Sequence, residues 1–244
     1  MPETVDAPVT SQPEKASFFE DLIDIFGAPA KVFARRLDRG VFLTIVIFTV
    51  LGLVLAYANR GPMQGAIDGE IDRQIAKIVE QNPAMTAEQM APMRSWMTFS
   101  FTYGIAIFLP VYFLIVGLCA WLAGKIFGAA SSYGDALMVA TWSFVPRFVA
   151  LILVALQGLL MDVTTVRGIF EFSFSPARFF DPDTTSMAVL GILSRFDLFM
   201  LWQTALIGIG LAVVGKIPRG KAMGAAAAVW LIGAVPILFQ FLQG

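Results

Sequence analysis

Long, continuously apolar stretches alternate with shorter polar ones along this chain. Five are prominent: residues 41–58, 99–127, 136–160, 198–214 and 222–242. A helix rising about 1.5 Å per residue needs about 20 apolar residues to cross about 30 Å of hydrocarbon. All five stretches lie near that length, and none shows the period-two alternation of a membrane β-barrel strand. The pattern predicts an all-α integral membrane protein, a bundle of five transmembrane helices occupying residues 41–242. Pro110 is expected to kink the second span, and the third carries Pro146 followed by Arg147.

The polar stretches have patterns of their own. Within residues 17–40, Ser17 and Glu20 have the spacing of a capping box, and Phe19, Leu22, Ile23 and Phe26 recur at helical intervals. Gly27 and Pro29 interrupt this stripe; Val32, Phe33 and Leu37 resume it beside Lys31, Arg35, Arg36 and Arg39. The segment predicts an amphipathic helix in the cytoplasmic membrane interface, its arginines near anionic headgroups. A linker helix packed under the bundle is the compatible alternative. Between the first two spans, Ile67, Ile71, Ile75 and Ile78 form a second stripe. Thr86 and Gln89 make another capping box, opening a helix that Pro92 is expected to interrupt. In residues 169–185, Phe170, Phe172 and Phe174 alternate with Glu171, Ser173 and Ser175, a pattern that suits a strand or extended piece. A loop tucked onto its own bundle is the alternative there. Residues 1–16, polar and without an apolar core, predict a disordered tail and no cleaved signal peptide.

Basic residues set the expected orientation. Lys31, Arg35, Arg36 and Arg39 precede the first span, and Lys216, Arg219 and Lys221 sit between the fourth and fifth. A five-span count puts both groups on one side, so the N-terminus is expected in the cytoplasm. Composition agrees with the membrane class: 57% of residues are hydrophobic, 14% are charged, and the mean hydropathy is +0.75. A net charge of −1 argues against a nucleic-acid partner. Histidine is absent and Cys119 is the single cysteine. The commonest general base and transition-metal ligand is therefore missing. Neither an enzyme, a cofactor nor a metal site is expected.

Few polar side chains remain within the apolar stretches, and burying an ionised one at mid-bilayer costs about 3 kcal/mol or more. The candidates are Asp135 before the third span, Arg147 inside it, and Asp197 and Gln203 in the fourth. Arg147 lies about 17 Å into a helix starting at Ala136, so it must snorkel, line a wet cavity or pair with a carboxylate. Pro146 frees the carbonyl of Trp142 as a further acceptor. At the mouth of the fourth span, Arg195 and Asp197 form an opposed charge pair. Thr204 and Gly208 continue the Asp197 face as a small-xxx-small pattern, and Gly224 to Ala228 offer a complement on the fifth span.

Three segments resemble the Yip (Yip1 domain) family of five-span membrane proteins. They are DLIDIFGAPAKVFARRL near the N-terminus, YGDALMVATWSFVP in the third span, and FDLFMLWQTALIGIGLAVV in the fourth, which a basic turn follows. The resemblance covers roughly residues 18–242. It implies the same topology, with the N-terminus inside. Eukaryotic members act in vesicle traffic at the Golgi and endoplasmic reticulum and associate with Rab-type GTPases and with each other. Their long N-terminal region is nearly absent here, so the kinship implied is with the prokaryotic branch and a bacterial inner membrane. No catalytic or ligand residue carries over.

Two functions are then expected. The first is a non-enzymatic protein organising membrane lipids or membrane-protein partners, itself included, through helix packing. The second is a small transporter or channel using Arg147 with Asp135, Asp197 or Gln203. The second requires those groups to converge on a cavity, the first to meet in dry helix contacts.

Overall fold

The computed structural model describes residues 17–37, 39–161, 166 and 168–237; the expected N-terminal tail and the end of the fifth span fall outside these. Among the described residues the chain is all-helical. It opens with α1 (Phe18–Gly27) and α2 (Pro29–Arg36). The first span, α3 (Phe42–Asn59), follows, then α4 (Gln64–Gln81) and α5 (Ala87–Ile107). The second span is α6 (Leu109–Ile126), and α7 (Tyr133–Trp142) with α8 (Val145–Leu160) makes the third. Short α9 (Met187–Ser194) precedes the fourth span α10 (Leu198–Gly215) and the fifth, α11 (Arg219–Ile232), whose apolar run reaches Ile237.

The five spans stand where the apolar stretches predict them, with two changes made by proline. The stretch 99–127 does not form one kinked rod. The chain breaks at Phe108, and Pro110 lies in the first turn of α6, where its missing N–H costs no helical hydrogen bond. Likewise α7 ends at Trp142, and Pro146 stands in the first turn of α8. Pro92, expected to interrupt its helix, is instead carried inside α5, whose start is secured by the Thr86–Gln89 capping box.

The third span is the centre of the bundle: 61% of its most apolar window is buried, against 17% for the fifth span. Around it an aromatic cluster fills the core. Phe48 of α3 lies 5.7 Å from Trp142 and 5.1 Å from Phe148, and Phe113 of α6 lies 5.3 Å from Phe144. Glycines let the surrounding helices close in. A methyl group on Gly117 would stand 2.9 Å from the Leu137 Cα, and one on Gly210 would stand 2.5 Å from Val139 Cγ1. Gly208 faces Ala226 and Met223 of α11, and Gly224 faces Phe127. Ala228 packs into the same small-residue cluster. The small-xxx-small faces are therefore used within the chain, between its own fourth and fifth spans and their neighbours.

At the basic end of the bundle, α1 and α2 fold into a hairpin. The Ser17–Glu20 capping box forms as predicted. Ile25, Val32 and Phe33 are fully buried against the spans, while Phe19 and Ile23 on the other face are about three-quarters exposed. The helix is thus amphipathic in both senses, docked on one face and bare on the other. Two of its arginines, Arg35 and Arg36, turn inward to carboxylates of the hairpin. The fully buried Asp21 takes Arg35 Nη2 at 2.7 Å and Arg36 Nε at 2.5 Å, and Arg35 also reaches Asp24 at 2.5 Å. The hydrogen bond to Asp24 and the charge of Asp21 hold Arg35 above its ordinary pKa despite desolvation. Arg36 lies 4.6 Å over the Trp142 ring. A carboxylate reachable inside the hairpin outcompetes solvent-screened contacts at the surface.

Residues 169–185 form no strand. Two short 3-10 turns, Ile169–Phe172 and Pro176–Phe179, take its place. Ser173 donates to the Phe170 carbonyl at 2.7 Å, and the Ser175 hydroxyl accepts from the Ala177 N–H at 3.3 Å. Such local side-chain bonds compete with sheet pairing. Lys31 and Arg219 line one cavity between the hairpin turn and α10, so the two basic clusters do share one side of the bundle.

Candidate functional site

At the other end, a cavity of about 450 Å³ opens between α6, α8, α10 and α11. Its polar lining comes from Arg147, Arg195, Gln203, Tyr112 and Thr204; the rest is apolar, including Phe144, Ile207 and Val229. Two of its apolar lining residues, Ile105 and Phe108, are 74% and 65% exposed, so the cavity opens beside a bare apolar surface.

Each polar group is placed by its own helix. Arg147 follows Pro146 at the start of α8, 14 residues past Tyr133, or about 21 Å along the third span. Its guanidinium lies 3.9 Å from Asp197 Oδ1, an ion pair and not a hydrogen bond. Asp197 is the N-cap of α10. Its Oδ1 accepts the Phe199 and Met200 N–H groups at 3.0 and 3.2 Å, as a capping carboxylate should. Its Oδ2 accepts the Phe174 N–H at 3.0 Å, tying the segment after the third span to the fourth. With three backbone donors already on it, Asp197 has little left for Arg147.

Arg195 does not pair with Asp197, although only one residue separates them. It turns instead to α11, donating from Nη2 to the Trp230 carbonyl and lying 5.1 Å over the Trp230 ring. The Trp230 indole N–H returns a bond to the Arg195 carbonyl at 3.2 Å. A side chain on Gly233 would collide with this guanidinium, 2.9 Å from Nη2. The Arg195 Nε is buried without a partner among the described residues. Gln203, nearly fully buried, and Tyr112 share a hydrogen bond across helices, Nε2 to the hydroxyl at 2.9 Å. The Thr204 hydroxyl bonds back to Met200 O at 2.9 Å, and the residue lines the cavity.

Of the four predicted intramembrane candidates, three meet here: Arg147 and Gln203 on the cavity wall, with Asp197 behind Arg147. Asp135 does not join them. It completes a capping box with Ser132 at the start of α7, twelve residues before Arg147, at the basic end. Pattern reading missed Tyr112 and Trp230, and it misassigned Arg195. Aromatic residues are common in apolar spans, so their types carried no signal for a cavity. Arg195 could be found only by knowing that α11 passes beside it.

Among the described residues the wall presents two cations, an amide and two hydroxyls, and no carboxylate. Among the described residues no cluster of His, Cys, Asp and Glu could hold a metal ion. What the arrangement can do is hold an oxyanion: guanidinium groups pair with carboxylate or phosphate oxygens through two parallel N–H bonds.

Five apolar helices, four of them bordering a guanidinium-lined cavity, define a multi-pass integral membrane protein. The family profile for the Yip1 domain matches residues 23–239, nearly the whole chain, and the chain belongs to that family. Comparisons with curated proteins and with solved structures find no match.

Proposed function

We propose that this Yip1 domain protein is a non-enzymatic membrane protein that organises lipid, holding a lipid molecule inside its bundle. The observation that carries the reading is that polar groups converge on a cavity opening beside bare apolar side chains, Ile105 and Phe108, a surface suited to acyl chains. The small-residue faces that favoured self-association are taken up between the chain's own helices, which leaves lipid as the better-supported partner. In this reading the N-terminal hairpin lies on the cytoplasmic side of a bacterial inner membrane, and the cavity opens in the opposite leaflet.

The test is native mass spectrometry of the full chain purified in a mild detergent. Wild type is expected to retain about one lipid per protein after delipidating washes. Thr204→Trp, which fills the cavity, is expected to lose it. Equal lipid retention by both forms, or none by either, overturns the reading.

Anion transport is a second reading, favoured by the convergence of Arg147 and Gln203 on a cavity and not on a dry contact. It expects anion flux from proteoliposomes that Arg147→Ala abolishes while assembly is unchanged. Flux equal to that of protein-free liposomes excludes it.

A further inference from the structure

We infer that the cavity selects a net-anionic phosphate headgroup, an inference resting on the lipid-binding reading above. Charge balance is the first ground. Arg147 and Arg195 line the cavity, and Asp197, the carboxylate beside Arg147 among the described residues, is engaged by three backbone N–H groups. The Arg147 guanidinium has its 3.9 Å contact with Asp197 and no hydrogen bond among the described residues. A guanidinium in an apolar bundle without a hydrogen-bond acceptor is costly, and a bound anion removes that cost.

Pre-organisation is the second ground. Arg195 is fixed in place by the Trp230 carbonyl and ring. A side chain held in place before the ligand arrives loses little entropy on binding. The Gln203 amide and Tyr112 hydroxyl, bonded to each other at 2.9 Å, add neutral donors on the same wall.

Level and shape supply the third. Arg195 stands just before the first residue of α10, at the end of the fourth span, where a headgroup belongs. The exposed apolar rim then carries the tails outward past Phe108 and Ile105. A zwitterionic head would bring its own cation beside two arginines, with no carboxylate among the described lining residues to receive it. Selection therefore follows from what the wall lacks as much as from what it presents.

The experiment offers delipidated full-length protein phosphatidylglycerol, phosphatidylcholine or inorganic phosphate, and reads bound mass by native mass spectrometry and the melting temperature. Wild type is expected to prefer phosphatidylglycerol over phosphatidylcholine by at least about tenfold, the scale of one charge-assisted hydrogen bond. Arg147→Gln is expected to bring that preference close to unity, while Arg147→Lys, which keeps the charge, retains most of it. Arg195→Gln is read in parallel, and its melt reports whether losing the Trp230 anchor loosens α11. Equal binding of the two lipids overturns the inference and leaves the lipid-binding reading standing. No binding of either lipid overturns both. Binding of inorganic phosphate alone overturns the lipid source and leaves a soluble anion as the ligand.

Discussion

Asp21→Asn is the most informative single change at the N-terminal hairpin. It keeps the shape of a fully buried side chain and removes the charge that Arg35 and Arg36 contact at 2.7 and 2.5 Å. Removing one partner of a buried ion pair costs about 3–5 kcal/mol, because the other is left uncompensated. Here the arginine side chains are 12% and 13% exposed and Arg35 keeps Asp24, which places the expected loss near the lower end, about 3 kcal/mol. Against it stand Ile25, Val32 and Phe33, fully buried, each contributing about 1.5–3 kcal/mol to docking. The hairpin should therefore stay docked in its ground state but open about 150-fold more often, at about 1.4 kcal/mol per decade. Hydrogen exchange reads this directly: amides in residues 18–36 should exchange about two orders of magnitude faster, with the spans unchanged. Asp24→Asn is the control. Asp24 is one-third exposed and bonds only Arg35, so its loss should cost below about 1 kcal/mol. An increase for Asp21→Asn below about fivefold, or one spread evenly over the spans, would refute this account of the hairpin.

The remaining predictions concern the bundle. Gly117→Ala should lower stability by about 1–3 kcal/mol, since the new methyl meets the Leu137 backbone; Gly208→Ala should cost less, its closest neighbour being the flexible Met223 sulfur. Comparative melting in detergent checks the order, and the reverse order would contradict the packing described. A double-mutant cycle of Tyr112→Phe and Gln203→Leu should return a coupling of about 0.6 kcal/mol, the usual size for a hydrogen bond between membrane helices. A coupling of zero would mean the pair does not form in the bilayer. Finally, cysteines replacing Lys31 and Lys216 should react with impermeant reagents from the same side of the membrane, because Lys31 and Arg219 border one cavity and Lys216 caps the helix leading to it. Labelling from opposite sides would rule out the five-span topology.

Reading the chain segment by segment was enough for the architecture. Five apolar runs became five spans, and the Ser17–Glu20 and Thr86–Gln89 spacings became capping boxes, because each depends on residues within one helix. Where the reading slipped, the answer lay in a competing local bond or in a distant partner. Ser173 and Ser175 bond their own backbone neighbours, which turned an alternating pattern into 3-10 turns. Arg35 and Arg36 were placed at headgroups because the acids that take them are 11 to 15 residues away across the hairpin turn.

The sequence by itself determined that this chain lives in a bilayer, with how many crossings and with which few polar side chains inside. Hydration cost adds up along roughly 20 consecutive residues, so it can be summed without knowing what lies beside them. Only the tertiary structure decided that Arg195 would seek Trp230, 35 positions later, and leave Asp197 to Arg147. It alone decided that two cations would share one cavity. Pairing between helices depends on their register and rotation, which follow from how glycines and rings interlock across the bundle, and no single segment contains that information.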